Sequence, residues 1–441
     1  MKSLIYGAVF FVLSGWGAGA DLGPDIVSAP SSSSLKSRSP YVMKVEADPL
    51  ALARVLCLDG GGLRGVYAAE ILSSLETELK EGKRICDFFQ GGITGTSTGS
   101  LIALALVAPN HFNKRTKKME PGPYSASDIV SFYEEMADEV FKCWTPSHCW
   151  TNATHGYDEG CLSSLKKTLW SIMTCFGCCA CCKNCDGFCG PKYGNHALKI
   201  LLERYFGGLT LKEALVPVQI VSYDVLLNQP VYFDSYRHTN IRFVDAALCS
   251  SAAPTYLPGV SIGDGNGSPL YQCIDGGIFD NSACLAALRF GLFHTQKTLQ
   301  DSGFSLHLTD FVLLSIGTGQ RIIGSRYKKL KHASKLTWAS EAIEISINGT
   351  SQATHANLSA IYEAAELEEE PRQYFRIQPI LPDTETQMDD SSIIPHLRAR
   401  ARADTTGDYC NAAFKEFVKE HARPRKPNER TKKDIVSFSV V

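Results

Sequence analysis

Ser97, two aspartates and a set of glycines carry the strongest chemical signal in this chain. Gly95-Thr96-Ser97-Thr98-Gly99 brackets a serine with two glycines, the pattern of a sharp strand-to-helix turn that lifts a hydroxyl clear of a sheet. A serine there also sits at a helix N-terminus, whose partial positive charge favours a developing alkoxide. Asp59-Gly60-Gly61-Gly62-Leu63-Arg64-Gly65 offers two chemistries. It fits a dinucleotide-binding glycine pattern, but Asp59 would set a carboxylate beside the pyrophosphate that such a loop must cradle. The other reading is an oxyanion hole, since a glycine loop at a helix start presents unpaired amides to the negative oxygen of a tetrahedral acyl intermediate. Arg64 stands where a helix mildly disfavours a cation, which calls for an anionic partner in the protein or in a substrate headgroup; a surface arginine without a role is the plainer reading.

A serine nucleophile needs a base. Of eleven histidines, His294 and His307 follow Ser97 in the order a histidine-based hydrolase needs, but lack its loop signature. Asp275-Gly276-Gly277 follows Tyr271-Gln272-Cys273-Ile274, a strand pattern, and its glycines permit a close turn toward the serine. An aspartate with its ordinary pKa of about 4 is a poor base in water. Burial would raise it. Capping a turn is the alternative role for the same residue.

The elements that must position these side chains follow an α/β rhythm. Val55 to Leu58 reads as a buried strand, Val66 to Leu79 as a helix, the stretch around Gly92-Ile93-Thr94 as a second strand, and Ser100 to Val107 as an apolar helix. Apolar runs at Val218 to Val221 and Phe311 to Ile316 extend a largely parallel sheet covered on both faces. Between them, 108–215 lacks this rhythm and reads as an insertion, with a basic stretch (Lys114, Arg115, Lys117, Lys118) and Trp144, Trp150 and Trp170. Beyond about 320 the chain is expected to be polar and helical, ending in a basic tail at 422–433.

Composition excludes several classes. The 441 residues are 44% hydrophobic and 20% charged, with a formal net charge of −2, which suits a globular protein and argues against a global electrostatic grip on nucleic acid. Residues 1–20 read as a signal peptide, with Lys2 before an uncharged stretch that ends in Ala18-Gly19-Ala20; a secreted or periplasmic protein is the expectation, against an uncleaved anchor. Residues 21–50 read as a Ser/Pro-rich linker. Of sixteen cysteines, those clustered from Cys175 to Cys189 are open to three explanations: disulfides, a zinc site or lipid modification.

Taken together and in order, the Asp59 glycine loop, the Ser97 elbow and Asp275-Gly276-Gly277 resemble the patatin-like phospholipase family. Ser251-Ala252-Ala253-Pro254-Thr255-Tyr256 and Leu314-Ser315-Ile316-Gly317-Thr318-Gly319 are similar to two further segments of that family, and Tyr374 to Pro379 and Asp389-Asp390 to more distal ones. The departure is Asn281-Ser282-Ala283, where relatives often carry Asn-Asn-Pro. The resemblance implies a three-layer α/β/α catalytic domain over 51–320 with a mostly parallel central sheet. It implies a Ser–Asp dyad of Ser97 as nucleophile and Asp275 as base, and amides of Gly60, Gly61 and Gly62 as the oxyanion hole. Asp59, Arg64, Gly65, Gly95, Gly99, Gly276 and Gly277 are the supporting motif positions. The expected activity is hydrolysis of phospholipid or other acyl-lipid esters through an acyl-serine, with transient membrane contact, no metal, no nucleotide cofactor and no nucleic acid; a partner that activates the enzyme is left open. A storage or binding protein with incidental esterase activity, and a histidine-based esterase, are the alternatives.

Overall fold

The apolar run at 55–58 is wholly buried, and its side chains alternate between two separate bodies of core, as a strand covered on both faces requires. Leu56 and Leu58 enter the larger apolar cluster, Val55 and Cys57 the smaller. The computed structural model describes residues 53–79, 82–141, 191–265, 267–299, 308–321, 330–365, 373–407 and 410–422. The expected signal peptide and linker, the Cys175–Cys189 cluster, His307 and most of the basic tail lie outside the described residues.

The strands are β1 (Arg54–Leu58), β2 (Gly92–Thr96), β3 (Asn110–Asn113), β4 (Lys118–Pro121), β5 (Val218–Asp224), β6 (Gln229–Asp234), β7 (Val260–Gly263), β8 (Pro269–Asp275), β9 (Val312–Ile316), β10 (Gln320–Arg321), β11 (Tyr374–Ile377) and β12 (Ile380–Leu381). Eight of them form the central sheet in the order β11-β9-β1-β2-β5-β8-β7, with β6 also on β5. The stretch from β11 to β5 is parallel throughout, whereas β6, β7 and β8 pair antiparallel.

The pairing on β5 decides where the site forms. β6 runs along β5 from Gln219 to Asp224 and so takes one whole edge. On the other edge β2 pairs only as far as Val221, opposite Thr96, and β8 takes over from Ser222, which lies opposite Asp275. Two strands running in opposite directions therefore meet head-on along a single edge, and their C-terminal ends abut.

Helices cover both faces. The larger cluster is built with α1 (Gly65–Glu78), α2 (Thr98–Val107), α3 (Ala126–Glu139), α4 (His196–Phe206) and α5 (Phe243–Ser250); α6 (Cys284–Leu299) and the long α7 (Lys335–Ala365) cover the other face. Every residue of α2 is buried, which explains a sequence apolar on all sides. The 108–215 stretch lacks strand rhythm because its described parts are a hairpin and two helices, but it is no appendage: Tyr124, Phe132, Tyr133 and Tyr205 lie in the larger cluster. The basic stretch occupies the β3–β4 hairpin, pairing in register from Asn113 opposite Lys118. The six described cysteines are free thiols, and among the described residues no helix is long and apolar enough to cross a membrane.

The chain beyond 320 differs from the expected polar helices, since β11 returns to extend the sheet. α8 (Ile394–Thr405) then docks on α1, where Glu70 accepts hydrogen bonds from Arg398 (2.9 Å) and Arg402 (2.6 Å) and Tyr67 donates to Asp404 (2.7 Å). Phe417 is fully buried against Phe88, Phe89 and Phe375. Replacing it with alanine leaves a cavity in the main core, so Phe417→Ala is expected to cost about 3–5 kcal/mol; an unchanged denaturant midpoint would show that residues 412–417 are not part of that core.

Candidate active site

Ser97 leaves β2 with φ of 51° and ψ of −122°, a backbone state that a non-glycine residue occupies only under constraint. The constraint is crowding. A Cβ on Gly95 would strike the Gly99 backbone, and a Cβ on Gly99 would strike the Leu58 carbonyl, so only glycines let the elbow pass this close to β1. The Ser97 amide donates to Ser250 Oγ (2.8 Å), and Ser250 Oγ donates to the Val221 carbonyl (2.5 Å), which pins the turn to β5. Ser100 Oγ donates to the Ser97 carbonyl (2.5 Å). Ser97 is the N-terminal cap of α2, so its oxygen lies at the positive end of a ten-residue helix.

Ser97 Oγ donates to Asp275 Oδ2 at 2.6 Å. The carboxylate's other oxygen accepts the Gly277 amide at 2.7 Å, and the Asp275 amide donates to the Ala252 carbonyl at 2.9 Å. Asp275 is 5% exposed. Burial pushes its pKa up to about 6, against the lowering effect of the Ser97 and Gly277 hydrogen bonds. Gly276 lies against the Val221 backbone, where a side chain has no room. A hydroxyl hydrogen-bonded to a carboxylate made more basic by desolvation has the geometry that nucleophilic attack with proton transfer requires.

The glycine loop follows β1 on the neighbouring strand. Thr318 Oγ1 donates to the Gly60 carbonyl at 2.6 Å, and the Leu63 amide donates to the Met388 carbonyl at 2.7 Å. Gly62 adopts φ of 60°, and a side chain there would strike Met388. Of the three expected amides, Gly60 is engaged, donating to the Asn281 carbonyl at 3.3 Å. Those of Gly61 and Gly62 have no acceptor recorded among the described residues, and both residues line a cleft with Ser97 and Asp275. That cleft has a volume of about 810 Å³ including its open mouth, and its wall is mainly apolar, with Leu101, Met136, Phe141 and Leu198 on one side and Ile343 and Ile347 of α7 on another.

Arg64 and His294 find their partners inside the fold. Arg64 is buried, donates to the carbonyls of Gly61 (3.2 Å) and Gly319 (3.4 Å) and so braces the loop from behind, with the carboxylates of Glu344 and Asp59 acting on its charge. His294 bonds Tyr236, away from the residues that line the cleft, and burial lowers its pKa to about 4. Asp59 turns away from the cleft, which removes the carboxylate from any ligand in the loop. It pairs with Arg376 of β11 through both guanidinium arms, one of them at 2.7 Å. Arg376 also donates to Ser315 (2.6 Å) and Ser282 (3.2 Å), and both partners of the ion pair are almost fully buried. Gly65 lets α1 start against Tyr133 and Thr98. Sequence reasoning missed Arg376, Ser250 and Met388, which act through the fold from distant positions.

A family model described as patatin-like phospholipase matches residues 56–143 and 188–288. Patatin-like protein 2 of Arabidopsis thaliana is 31% identical, covering 74% of this chain and 75% of that protein. The chain belongs to the patatin-like phospholipase family. Patatin-like protein 4 of the same plant is 27% identical over 78% of this chain and 80% of its own length. Among solved structures, VipD from Legionella pneumophila aligns at a TM-score of 0.38 and 12% identity, covering 83% of this chain and 67% of that one. Lipid acyl hydrolysis is the general activity of the patatin-like phospholipases. The segment between the two matched stretches contains six of the seven clustered cysteines, Cys175 to Cys185, while Cys189 falls within the second stretch.

The buried Asp59–Arg376 pair sets a further expectation. Arg376→Met strands a carboxylate in the sheet and should cost about 3–5 kcal/mol, whereas the double replacement of Asp59→Asn with Arg376→Met should recover part of that loss. Equal stability of Arg376→Met and the parent in urea would refute the pair's role.

Proposed function

We propose that the chain hydrolyses carboxylic esters of glycerolipids through an acyl-Ser97 intermediate, as a phospholipase A or lysophospholipase. The observation that carries the reading is the 2.6 Å hydrogen bond from Ser97 to a buried carboxylate, both residues lining an apolar cleft. Ser97 Oγ attacks the ester carbonyl carbon while its proton passes to Asp275 Oδ2. The carbonyl oxygen becomes an oxyanion facing the Gly61 and Gly62 amides, with the N-terminus of α2 adding to its stabilisation. Collapse breaks the ester bond, and Asp275 returns the proton to the departing alkoxide. Water, deprotonated by Asp275, then attacks the acyl-serine; the fatty acid leaves and Ser97 regains its proton. The apolar wall supplies a site for the acyl chain.

Ser97→Ala and Asp275→Asn should each lower acyl release from mixed phospholipids by roughly 10³-fold or more, because the two act as a unit. Since burial holds the Asp275 pKa near 6, its charged, basic form is lost as pH falls through that value, and kcat/KM should fall with it. Equal rates in parent and both variants would end the proposal. Labelling of Ser97 by a fluorophosphonate separates an enzyme from a storage protein, which would not react.

Export through residues 1–20 is part of the same proposal, supported by the Lys2, apolar and Ala18-Gly19-Ala20 pattern. The first residue of the mature protein, read by N-terminal sequencing, should follow Ala20; a chain retaining Met1 would exclude cleavage.

A further inference from the structure

Asp389 and Asp390 are neighbours in sequence, yet the fold uses them differently. Asp390 works locally: its carboxylate accepts the Ser392 amide at 2.9 Å and caps the short helix Ser391–Ile393. Asp389 reaches across the molecule. Its side chain is 6% exposed, and its Oδ2 accepts from Lys192 Nζ at 2.6 Å and from Tyr193 Oη at 2.7 Å, residues 197 and 196 positions away. A carboxylate this deep is stable only where charge and hydrogen bonds answer it. The donors are themselves held, since Phe141 of the cleft wall packs edge-on against the Tyr193 ring, with centroids 5.1 Å apart.

From this contact, hydrogen bonds run to both halves of the site. On one side, the residue before Asp389 meets the glycine loop: the Met388 carbonyl accepts the Leu63 amide at 2.7 Å, and Met388 packs so close to Gly62 that a side chain there would strike it. On the other side, the amides of Lys192 and Tyr193 donate to the Thr255 and Tyr256 carbonyls, each at 2.8 Å. Thr255 has φ of 73°, a state that a β-branched residue keeps only when its surroundings hold it. Three residues earlier in the same segment, the Ala252 carbonyl accepts the Asp275 amide at 2.9 Å. The segment that holds Asp275 is thus joined to the segment that holds the Gly61 and Gly62 amides, and the Asp389 carboxylate makes the joint. Tyr256 and Met388 both line the cleft, so the joint links two parts of its wall, although Asp389 is not itself a lining residue.

We propose that Asp389 is a positioning residue for ester hydrolysis: by clamping Met388 to residues 192 and 193, it fixes where the Gly61 and Gly62 amides lie relative to Ser97 and Asp275. This rests on the acyl-serine reading and extends it to a group that touches no substrate. Amides stabilise an oxyanion well only when they are aimed before the charge develops. That charge is absent from the bound ester, so loosening the loop costs kcat rather than KM.

Asp389→Ala should lower kcat on a soluble short-chain ester by about tenfold or more, with KM within about threefold. Fluorophosphonate labelling of Ser97 should slow by a similar factor, because the phosphoryl oxygen needs the same amides. Asp389→Asn keeps an acceptor for the donors and should fall between parent and Asp389→Ala. Lys192→Met combined with Tyr193→Phe removes the donors while leaving Asp389 in place, and should reproduce the loss if Asp389→Ala itself fails to fold. In a Ser97→Ala background, hydrogen exchange of the peptide covering residues 59–66 should quicken in Asp389→Ala, since the Leu63 amide loses a fixed acceptor. Parent-like kcat in Asp389→Ala, or in the double replacement where the former does not fold, overturns the proposal even with faster exchange, because the contact is then structural only. A loss carried by KM alone overturns it in favour of a role in shaping the cleft wall. Faster exchange in a protein whose parent neither hydrolyses esters nor takes the label refutes the acyl-serine reading, while the link from Asp389 to the glycine loop stands.

Discussion

The site depends on one piece of strand geometry: β2 and β8 share a single edge of β5 and meet there end to end. Adjacent strands normally lie about 4.8 Å apart and present their side chains in rows. Here the strand ends face each other, so Thr96, the last residue of β2, and Asp275, the last residue of β8, occupy consecutive levels on the same edge, opposite Val221 and Ser222. β6 occupies the other edge and pairs with β5 through the junction. Ser97 and Asp275 therefore touch without a histidine between them.

The strained elbow is held by groups that are already committed elsewhere. Ser250, at the end of α5, links the Ser97 amide to β5, and Ser222 Oγ lies within hydrogen-bonding distance of the Cys249 and Ile274 carbonyls, joining α5 to the strand that ends in Asp275. Two serine hydroxyls thus couple Ser97 and Asp275 to the same helix. Rigid support of this kind lets a short contact persist without the cost of ordering it during the reaction.

The glycine loop is supported from the C-terminal part of the chain. Asp59 is turned out of the cleft by Arg376, Thr318 holds the Gly60 carbonyl, and the Met388 carbonyl receives the Leu63 amide. Asp389 in turn accepts from Lys192 and Tyr193, whose amides hold the Thr255 and Tyr256 carbonyls. Residues more than 300 positions away from the glycine loop by number decide which way its amides point.

Local sequence alone determined the parts whose requirements are local. The glycine before Ser97 is demanded by backbone crowding within five residues, and apolar runs at 55–58, 218–221 and 311–316 identify strands because burial on both faces needs them. The same logic marked Asp275, through glycines that admit a turn against Val221. Tertiary structure decided what depends on partners distant in sequence. The carbonyls of Gly61 and Gly319 that Arg64 meets, and the Asn281 carbonyl that takes the Gly60 amide, are brought there only by the fold. Arg376 sits in a segment without a glycine or serine signal, and only the parallel pairing of β11 with β9 brings its guanidinium to Asp59. Sequence carries residue types and local periodicity; which carbonyl, carboxylate or edge each one meets is fixed by strand register, and register is a property of the assembled sheet.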